Sequence, residues 1–105
     1  MKIQISGSAE EDLLEGFRFY EKQQQGLGAY FLDSLYADID ALSVFAGIHP
    51  RPVPGFHRSL AKTFPFAIYY QIEKNEVIVA AVLDCRQNPA SIRRRLGPSR
   101  LDPAT

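Results

Sequence analysis

Residues 64–83 read FPFAIYYQIEKNEVIVAAVL and predict a β-hairpin. From Phe66 to Glu73 the side chains alternate with a period of two, which indicates a strand with one well-buried face. Lys74-Asn75 suits a two-residue turn because asparagine tolerates a positive φ. The returning run, Val77 to Leu83, has no polar residue on either face, as is typical of a central strand covered on both sides. We therefore expect this hairpin to form the middle of a sheet.

The length of the chain, 105 residues, allows one domain with one modest core. We assign the domain to residues 1–97 and expect residues 98–105 to be a disordered tail. No apolar run approaches the roughly 20 residues of a membrane-spanning helix, and no apolar stretch precedes the acidic run that begins at Glu10. An intracellular, cytoplasmic location is the expectation. The single cysteine, Cys85, cannot form an internal disulfide, which fits a reducing compartment.

The charges are unevenly distributed along the chain, although the formal net charge is zero at pH 7. Before Ile48, three basic residues stand against eight acids, and from Ile48 onward nine basic residues stand against four acids. The first part is therefore acidic by five charges and the second is basic by five. Such a split favours a surface with one side suited to anions or to an acidic partner. The alternative is that the charges simply coat a solvated surface.

Two amphipathic helices are predicted before the hairpin. Ser8 to Glu11 has the spacing of a capping box, so Ser8 is predicted to cap the first helix, whose apolar stripe ends at Tyr20. The second helix is predicted from about Leu27 to Ala46. The short Gly26–Gly28 link makes the two helices antiparallel neighbours. Their apolar stripes must cover the sheet.

Shorter elements complete the predicted fold. Lys2 to Ser6 is predicted to be a strand, and His57 to Lys62 is predicted to be a weak strand after the proline-containing loop from Gly47 to Gly55. Asn88 and Pro89 have the residue types of an N-cap and a first helical position, which predicts a short final helix. The order indicates an α+β class: a single small domain, β-α-α-β-β-β-(α), with a helical hairpin packed on a small, mainly antiparallel sheet.

The sequence offers no motif for a metal or a cofactor, and we expect neither. His49 and His57 are separated by loop prolines, with no cysteine or carboxylate at ligand spacing, and no phosphate-binding glycine pattern is present. Cys85 is a candidate nucleophile only if a base such as His57 reaches it. Packing is the commoner role for a lone cysteine at the end of a strand.

A set of basic residues is the strongest candidate for a binding site. Arg58 and Lys62 precede the hairpin at a spacing of four, Arg86 follows it, and the final helix carries Arg93, Arg94 and Arg95. Arginine pairs with phosphates and carboxylates through its fork of donors, so a converging set would form a face that binds an anion or a partner. The alternative is that Arg58 and Arg86 pair with local acids such as Asp84 and that the arginine triplet is solvated.

Several segments of the chain, spread over about residues 3–96, match one known family: Ser8–Leu13, Gly28 with Phe31, Leu35 and Ile39, Arg58–Tyr70, and Val82–Pro89 with Ile92 and Leu96. In these segments the chain resembles toxins of the RelE/ParE superfamily, the toxic halves of bacterial type II toxin–antitoxin, or plasmid-stabilisation, systems. The resemblance is closer to the ParE-like branch. No single motif is diagnostic, but the set in this order is fairly specific.

The resemblance implies a helical hairpin on an antiparallel sheet and a cognate antitoxin protein as partner in a hetero-oligomer. In such systems the antitoxin lays a helix or an extended segment over the apolar surface of the toxin. On the sheet face that the two predicted helices leave open, the residues suited to this contact are Tyr69, Ile78, Ala80 and Val82.

The superfamily divides by cellular target. RelE-like members are ribosome-dependent mRNA endonucleases, and the candidates for catalysis in such an enzyme would be Arg58, Lys62, Arg86 and His57. ParE-like members inhibit DNA gyrase and are not nucleases. The chain has no tyrosine after Tyr70 and no net positive charge, which favours the ParE-like branch, with target contacts at Arg58, Arg86, Arg93, Arg94 and Arg95. A third hypothesis is an antitoxin-binding module without toxicity.

Overall fold

The computed structural model describes residues 1–97. Its elements are, in chain order, β1 (Lys2–Ile5), α1 (Gly7–Gln23), α2 (Leu27–Asp40), α3 (Leu42–Phe45), β2 (His57–Leu60), β3 (Phe66–Glu73), β4 (Glu76–Asp84) and α4 (Pro89–Leu96). One sheet has the order β1-β4-β3-β2, in which β1 and β4 are parallel and the other two pairs are antiparallel. The predicted α+β class and the central position of β4 are confirmed. The predicted tail, residues 98–105, lies outside the described residues.

The hairpin between β3 and β4 turns at Lys74 and Asn75, whose φ angles are 51° and 61°. Two positive φ angles define a tight turn whose twist matches that of the flanking strands, as the sequence predicted. Farther along, Tyr69 pairs with Ala81 but Tyr70 pairs with Val79, so that Ala80 is an extra residue in β4. This β-bulge separates two regular halves of the central strand.

The bulge changes which side chains at the end of β4 point toward the helices and which point to the opposite face of the sheet. Val79 and Val82 both pack in the core beneath the helices, whereas Ala81 belongs to the opposite face with Tyr69. The alternation of the sequence had assigned Val82 to the face of Tyr69, and this assignment is wrong because a bulge adds one residue to the period of two. Val82 is 1% exposed and lies under the helical hairpin.

The helical hairpin covers one face of the sheet. Its largest fully buried side chains are Leu13, Phe31, Leu35 and Ile39, which pack against Ile68, Tyr70, Val77 and Val79. The helices approach closely where they lack side chains: a Cβ at Gly28 would lie 2.7 Å from the carbonyl oxygen of Phe17. The carboxylate of Glu21 accepts hydrogen bonds from the backbone N–H groups of Gly26 and Gly28 and so caps α2 from the preceding helix.

Two helix boundaries differ from the predictions. The cap of α1 is Ser6 rather than Ser8: the Oγ atom of Ser6 accepts from the N–H of Ala9 at 3.1 Å and donates to the carbonyl oxygen of Ala80 at 3.2 Å. A serine at this position satisfies the helix and the sheet together, which the local spacing of a capping box does not reveal. The second helix ends at Asp40, and the short α3 follows, which directs Leu42 into the core.

The second face of the sheet is also covered. Phe56, Ala67, Tyr69, Ala81 and Leu83 form a smaller cluster, against which Val53 from the preceding loop and Ile92 and Leu96 from α4 are packed. The expectation that this face stays open is therefore wrong at Tyr69, while the antitoxin contact itself stays a prediction. Tyr69, which we expected to be accessible there, is 2% exposed.

The hydroxyl group of Tyr70 anchors the loop before β2. Its oxygen accepts from the N–H of Gly47 at 2.9 Å and is hydrogen-bonded to Nδ1 of His49 at 2.6 Å. The ring of His57 stacks on that of Tyr70 at 5.0 Å, and its Nδ1 donates to the carbonyl oxygen of His49 at 2.9 Å. Both histidines are thus part of the packed loop and its contact with Tyr70.

We predict that Gly28→Ala destabilises the chain. The added methyl group meets the backbone of Phe17, which has no rotamer to adopt, so α1 and α2 must separate. We expect the free energy of unfolding, measured by urea denaturation, to fall by about 1–3 kcal/mol. The control is Gly7→Ala, where a Cβ has nothing within 4 Å and the helix gains from alanine. Equal stability of Gly28→Ala and the wild-type chain would contradict the close approach.

We also predict that His49 makes stability depend on pH. Burial, followed by the neighbouring His57, holds the pKa of His49 below its ordinary value. The stability contributed by neutral His49 is therefore complete above the unfolded pKa of about 6.5, and it is lost as the pH falls through the lower folded pKa. His49→Asn replaces the imidazole by an amide, which can hydrogen-bond to the Tyr70 hydroxyl and does not titrate. Thermal unfolding from about pH 7.5 to about pH 5 should lower the melting temperature more in the wild type than in His49→Asn.

Candidate functional site

The basic segment from Arg86 to Arg95 is held in place by the start of α4. The Oδ1 atom of Asn88 accepts from the N–H of Ser91 at 2.8 Å, and Pro89 occupies the first helical turn, so the predicted start of this helix is confirmed. Ile92 and Leu96 pack on the second face of the sheet. This orientation leaves Arg93 and Arg94 exposed to solvent.

Arg95 differs from its two neighbours because it pairs with Asp12 of α1. Its Nη1 and Nη2 atoms lie 2.6 and 2.7 Å from the two carboxylate oxygens, and this hydrogen-bonded pair raises the pKa of Arg95. Asp12, which is 8% exposed, also accepts from the N–H of Val82 at 2.9 Å. The register of β1 with β4 ends at Val79, so Asp12 satisfies a backbone donor beyond that pairing. One carboxylate thus joins α1, β4 and α4.

Arg86 pairs with Asp84, which is the local-acid alternative raised from the sequence. Nε lies 2.9 Å from Oδ1 and Nη2 lies 2.6 Å from Oδ2, in a bidentate arrangement. The hydrogen bonds from Arg86 hold the pKa of Asp84 below its usual range. The guanidinium nevertheless stays open to a further partner, because the Arg86 side chain is 71% exposed.

Arg58 lies on β2 opposite Tyr69 and therefore projects toward the second face of the sheet. Its Nε atom is buried and makes no hydrogen bond with any residue of the described range. Burial, which is the largest cause, and the negative charge of Asp84 raise the pKa of the Cys85 thiol. The positive charge of Arg58 lowers it. The net direction is upward, so Cys85 is not an activated thiolate.

The four residues that we considered for a nuclease do not form one cluster. His57 precedes Arg58 in β2 and stacks on Tyr70, on the opposite face of the sheet. Lys62 lies beyond the end of β2, where its backbone N–H donates to Asp38, so it does not share a regular strand with Arg58 as we predicted. Arg86 pairs with Asp84 in the turn before α4. The sheet therefore separates the predicted base, His57, from Arg58.

The four residues expected to bind an antitoxin are also divided. Tyr69 and Val82 are buried on opposite faces of the sheet, whereas Ile78 and Ala80 are half-buried. The sequence did not reveal an apolar groove of ≈ 340 Å³, which lies beside the edge strand β2. Three exposed side chains line it, namely Phe45, Ile48 and Leu60. Exposed apolar patches of this kind mark surfaces for protein contacts.

The role of Asp12 was missed as well, although a signal was present. Asp12 follows Ala9 by three residues and precedes Gly16 by four, which places it on the buried stripe of α1 rather than among the exposed acids. Within residues 1–97, no three potential metal-ligating side chains lie close together. The helices of the same range are too short or too polar to cross a membrane.

We predict that Asp12→Ala destabilises the chain more than Arg95→Ala. Both changes remove the ion pair, but only the loss of Asp12 also leaves the N–H of Val82 without its acceptor. Because Arg95 is partly exposed, we expect a difference of about 1–3 kcal/mol in the free energy of unfolding, measured by urea denaturation. Exchange of the Val82 amide hydrogen should accelerate only in Asp12→Ala. Glu11→Ala, an exposed acid of the same helix, is the control, and an equal loss in both test variants would contradict the prediction.

Comparisons with known proteins agree with the geometry and with the resemblance seen in the sequence. A solved structure described as "Chromosomal ParDE TA system from P. aeruginosa" superposes with a TM-score of 0.75 and 16% sequence identity, over 80% of this chain and 95% of that chain. At this identity the likeness shows a shared fold. Curated protein sequences give no match. A family model described as "ParE toxin of type II toxin-antitoxin system, parDE" matches residues 3–89, most of the chain. The chain therefore belongs to the ParE toxin family of type II toxin–antitoxin systems.

Proposed function

We propose that this chain arrests bacterial growth by binding DNA gyrase in the cytoplasm and that a cognate antitoxin neutralises it. Membership of the ParE toxin family supports the toxin and antitoxin roles. Contact with the target is made by the exposed basic segment around α4, where Arg86, Arg93 and Arg94 present guanidinium groups to solvent. Arg95 positions this segment through Asp12 rather than contacting the target.

The observation that carries the non-enzymatic proposal is the separation of the candidate catalytic groups. General acid–base catalysis requires the base and the charge-stabilising cations to reach the same reacting atoms. In this fold, His57 stacks on Tyr70 beneath the helices, Arg58 projects toward the other face, and Lys62 lies beyond the strand. A surface that binds a protein does not require such convergence.

The apolar groove beside β2 supports the antitoxin part of the proposal. Phe45, Ile48 and Leu60 are 55%, 73% and 61% exposed, which is more apolar surface in one place than solubility favours. A partner segment that covered these three side chains would remove them from water. Antitoxin binding would then stabilise the toxin by the burial of apolar area.

The test of the target is induction of this chain in bacteria without its antitoxin, with pulse-labelling of DNA and protein synthesis. We expect DNA synthesis to fall first, with a DNA-damage response, and purified chain to inhibit supercoiling by gyrase. If protein synthesis falls first, the gyrase proposal is wrong and an mRNA endonuclease takes its place. If growth is unaffected at full induction, the chain is an antitoxin-binding module without toxicity.

The test of the contact surface is a triple variant, Arg86→Ser with Arg93→Ser and Arg94→Ser. The matched control removes three positive charges elsewhere, from Arg18, Lys22 and Lys74, which are also exposed. We expect the test variant to need at least about tenfold more protein for half-inhibition of supercoiling, since charged contacts at an interface control association. The control should change this concentration by less than about twofold. Equal losses in the two variants would show a non-specific effect of charge.

A further inference from the structure

Arg58 is a half-buried cation with one side-chain donor that is not hydrogen-bonded within residues 1–97. Its Nε atom is buried without a hydrogen bond, whereas the two ion pairs of the described range belong to Arg86 and Arg95. A buried donor without an acceptor is destabilising, and a guanidinium is the group best suited to take a carboxylate through two parallel hydrogen bonds. Arg58 is therefore suited to form an ion pair with a carboxylate.

No acid near Arg58 along the neighbouring strands is available to complete that pair. Asp84 is the acid whose charge acts on the same thiol as Arg58, at Cys85, and both oxygens of Asp84 accept hydrogen bonds from Arg86. The residue opposite Arg58 in the sheet is Tyr69, which is buried among apolar side chains. An acceptor for this donor would therefore come from solvent or from a partner outside the described part of the chain.

We propose that Arg58 is a binding site for a carboxylate side chain of the antitoxin. The proposal rests on the proposed function, because it uses the antitoxin as the partner. Leu60, two residues further along β2, is exposed and lines the apolar groove with Phe45 and Ile48. The groove is lined by α2 and α3 on the helical side of the sheet, whereas Arg58 projects to the other face, and successive residues of a strand point to opposite faces. An extended antitoxin segment along β2, which is the edge strand, would place an apolar side chain in the groove and an acid, an odd number of residues away, against Arg58.

The charge around Arg58 favours a protein carboxylate over a nucleic acid. Binding to a phosphate backbone depends on several cations acting together, each with a phosphate. Here Arg86 and Arg95 are already paired with acids, and the first part of the chain is acidic by five charges. Arg58 is distinguished from the exposed arginines of α4 by its buried, unpaired Nε, and one such guanidinium near an apolar groove matches one acid near one apolar anchor.

Cys85 provides an internal reporter of this site, since it is the only cysteine of the chain and is exposed. The positive charge of Arg58 lowers the pKa of the thiol, so that an anion bound to Arg58 would raise that pKa again. The experiment measures the pH dependence of Cys85 alkylation by iodoacetamide in the purified full chain. The probe is N-acetylglutamate, compared with chloride at equal ionic strength and with inorganic phosphate.

We expect N-acetylglutamate to slow alkylation near pH 8 by about two- to fivefold in the wild type, and phosphate to do so less. Arg58→Gln should already show the slower rate and should not respond to the probe, whereas Arg58→Lys should keep the faster rate. A wild-type rate that does not differ between N-acetylglutamate and chloride would overturn the proposal. A larger effect of phosphate would overturn the choice of a carboxylate.

The variant Asp102→Asn tests whether an acid of the chain itself, beyond the described range, binds Arg58. We expect the alkylation rate and its response to the probe to be those of the wild type. A stronger response to the probe than in the wild type would mean that Asp102 competes for Arg58, and the antitoxin would then not be the occupant.

The source of the carboxylate is tested in cells that produce this chain together with its cognate antitoxin. Arg58→Glu should remain toxic but should need at least about tenfold more antitoxin for neutralisation, and an acid-to-arginine change in the antitoxin should restore it. If Arg58→Glu loses toxicity while antitoxin binding is unchanged, Arg58 contacts the target and the proposal is wrong. Lack of toxicity in the wild-type chain would instead contradict the proposed function, and the alkylation result would still stand.

Discussion

The carboxylate of Asp12 is the interaction on which the arrangement of the second face depends. Helix α4 has no fully buried residue, and it packs on the sheet through the partly buried Ile92 and Leu96 and is joined to α1 by the ion pair of Arg95. Asp12 supplies the acceptor for Arg95 and also for Val82, so α4 is fixed relative to α1 and β4 at one point. The carboxylate is buried and charged, and such a group is retained only where its hydrogen bonds are satisfied. The contacts of Asp12 therefore help to position the exposed arginines of α4.

The net charge of zero does not show that the basic residues have different structural roles. Two arginines are used inside the chain: Arg95 joins two layers of the fold, and Arg86 pairs with an acid two residues away in the turn before α4. Arg93 and Arg94 are exposed, and Arg58 has a buried donor without an acceptor in the described range. Counting charges along the sequence cannot make this distinction, because it depends on which carboxylate each guanidinium meets after folding.

Much of the architecture could be predicted from local patterns. The alternation from Phe66, the Lys74-Asn75 turn and the wholly apolar run after Val77 are physical signals within one hairpin, and all three correspond to the structure. The candidate site was less predictable, because its geometry depends on contacts between residues far apart in the sequence. The Tyr70 hydroxyl meets residues more than 20 positions earlier, and Asp12 meets Arg95 across 83 positions. The cap at Ser6 was missed for the same reason, since its hydroxyl also reaches Ala80.

The extra residue at Ala80 has a consequence for evolutionary comparison of these toxins. A relative whose strand β4 lacked this bulge would have one residue fewer at the position of Ala80. An alignment without a gap there would match core residues of one protein with residues on the opposite face of the sheet in the other protein. Val82 would then be compared with a residue that faces α4, and a functional role would be transferred to the wrong surface. Homologous residues after this point should be identified from strand pairing and burial, with the placement of gaps judged by the same criteria.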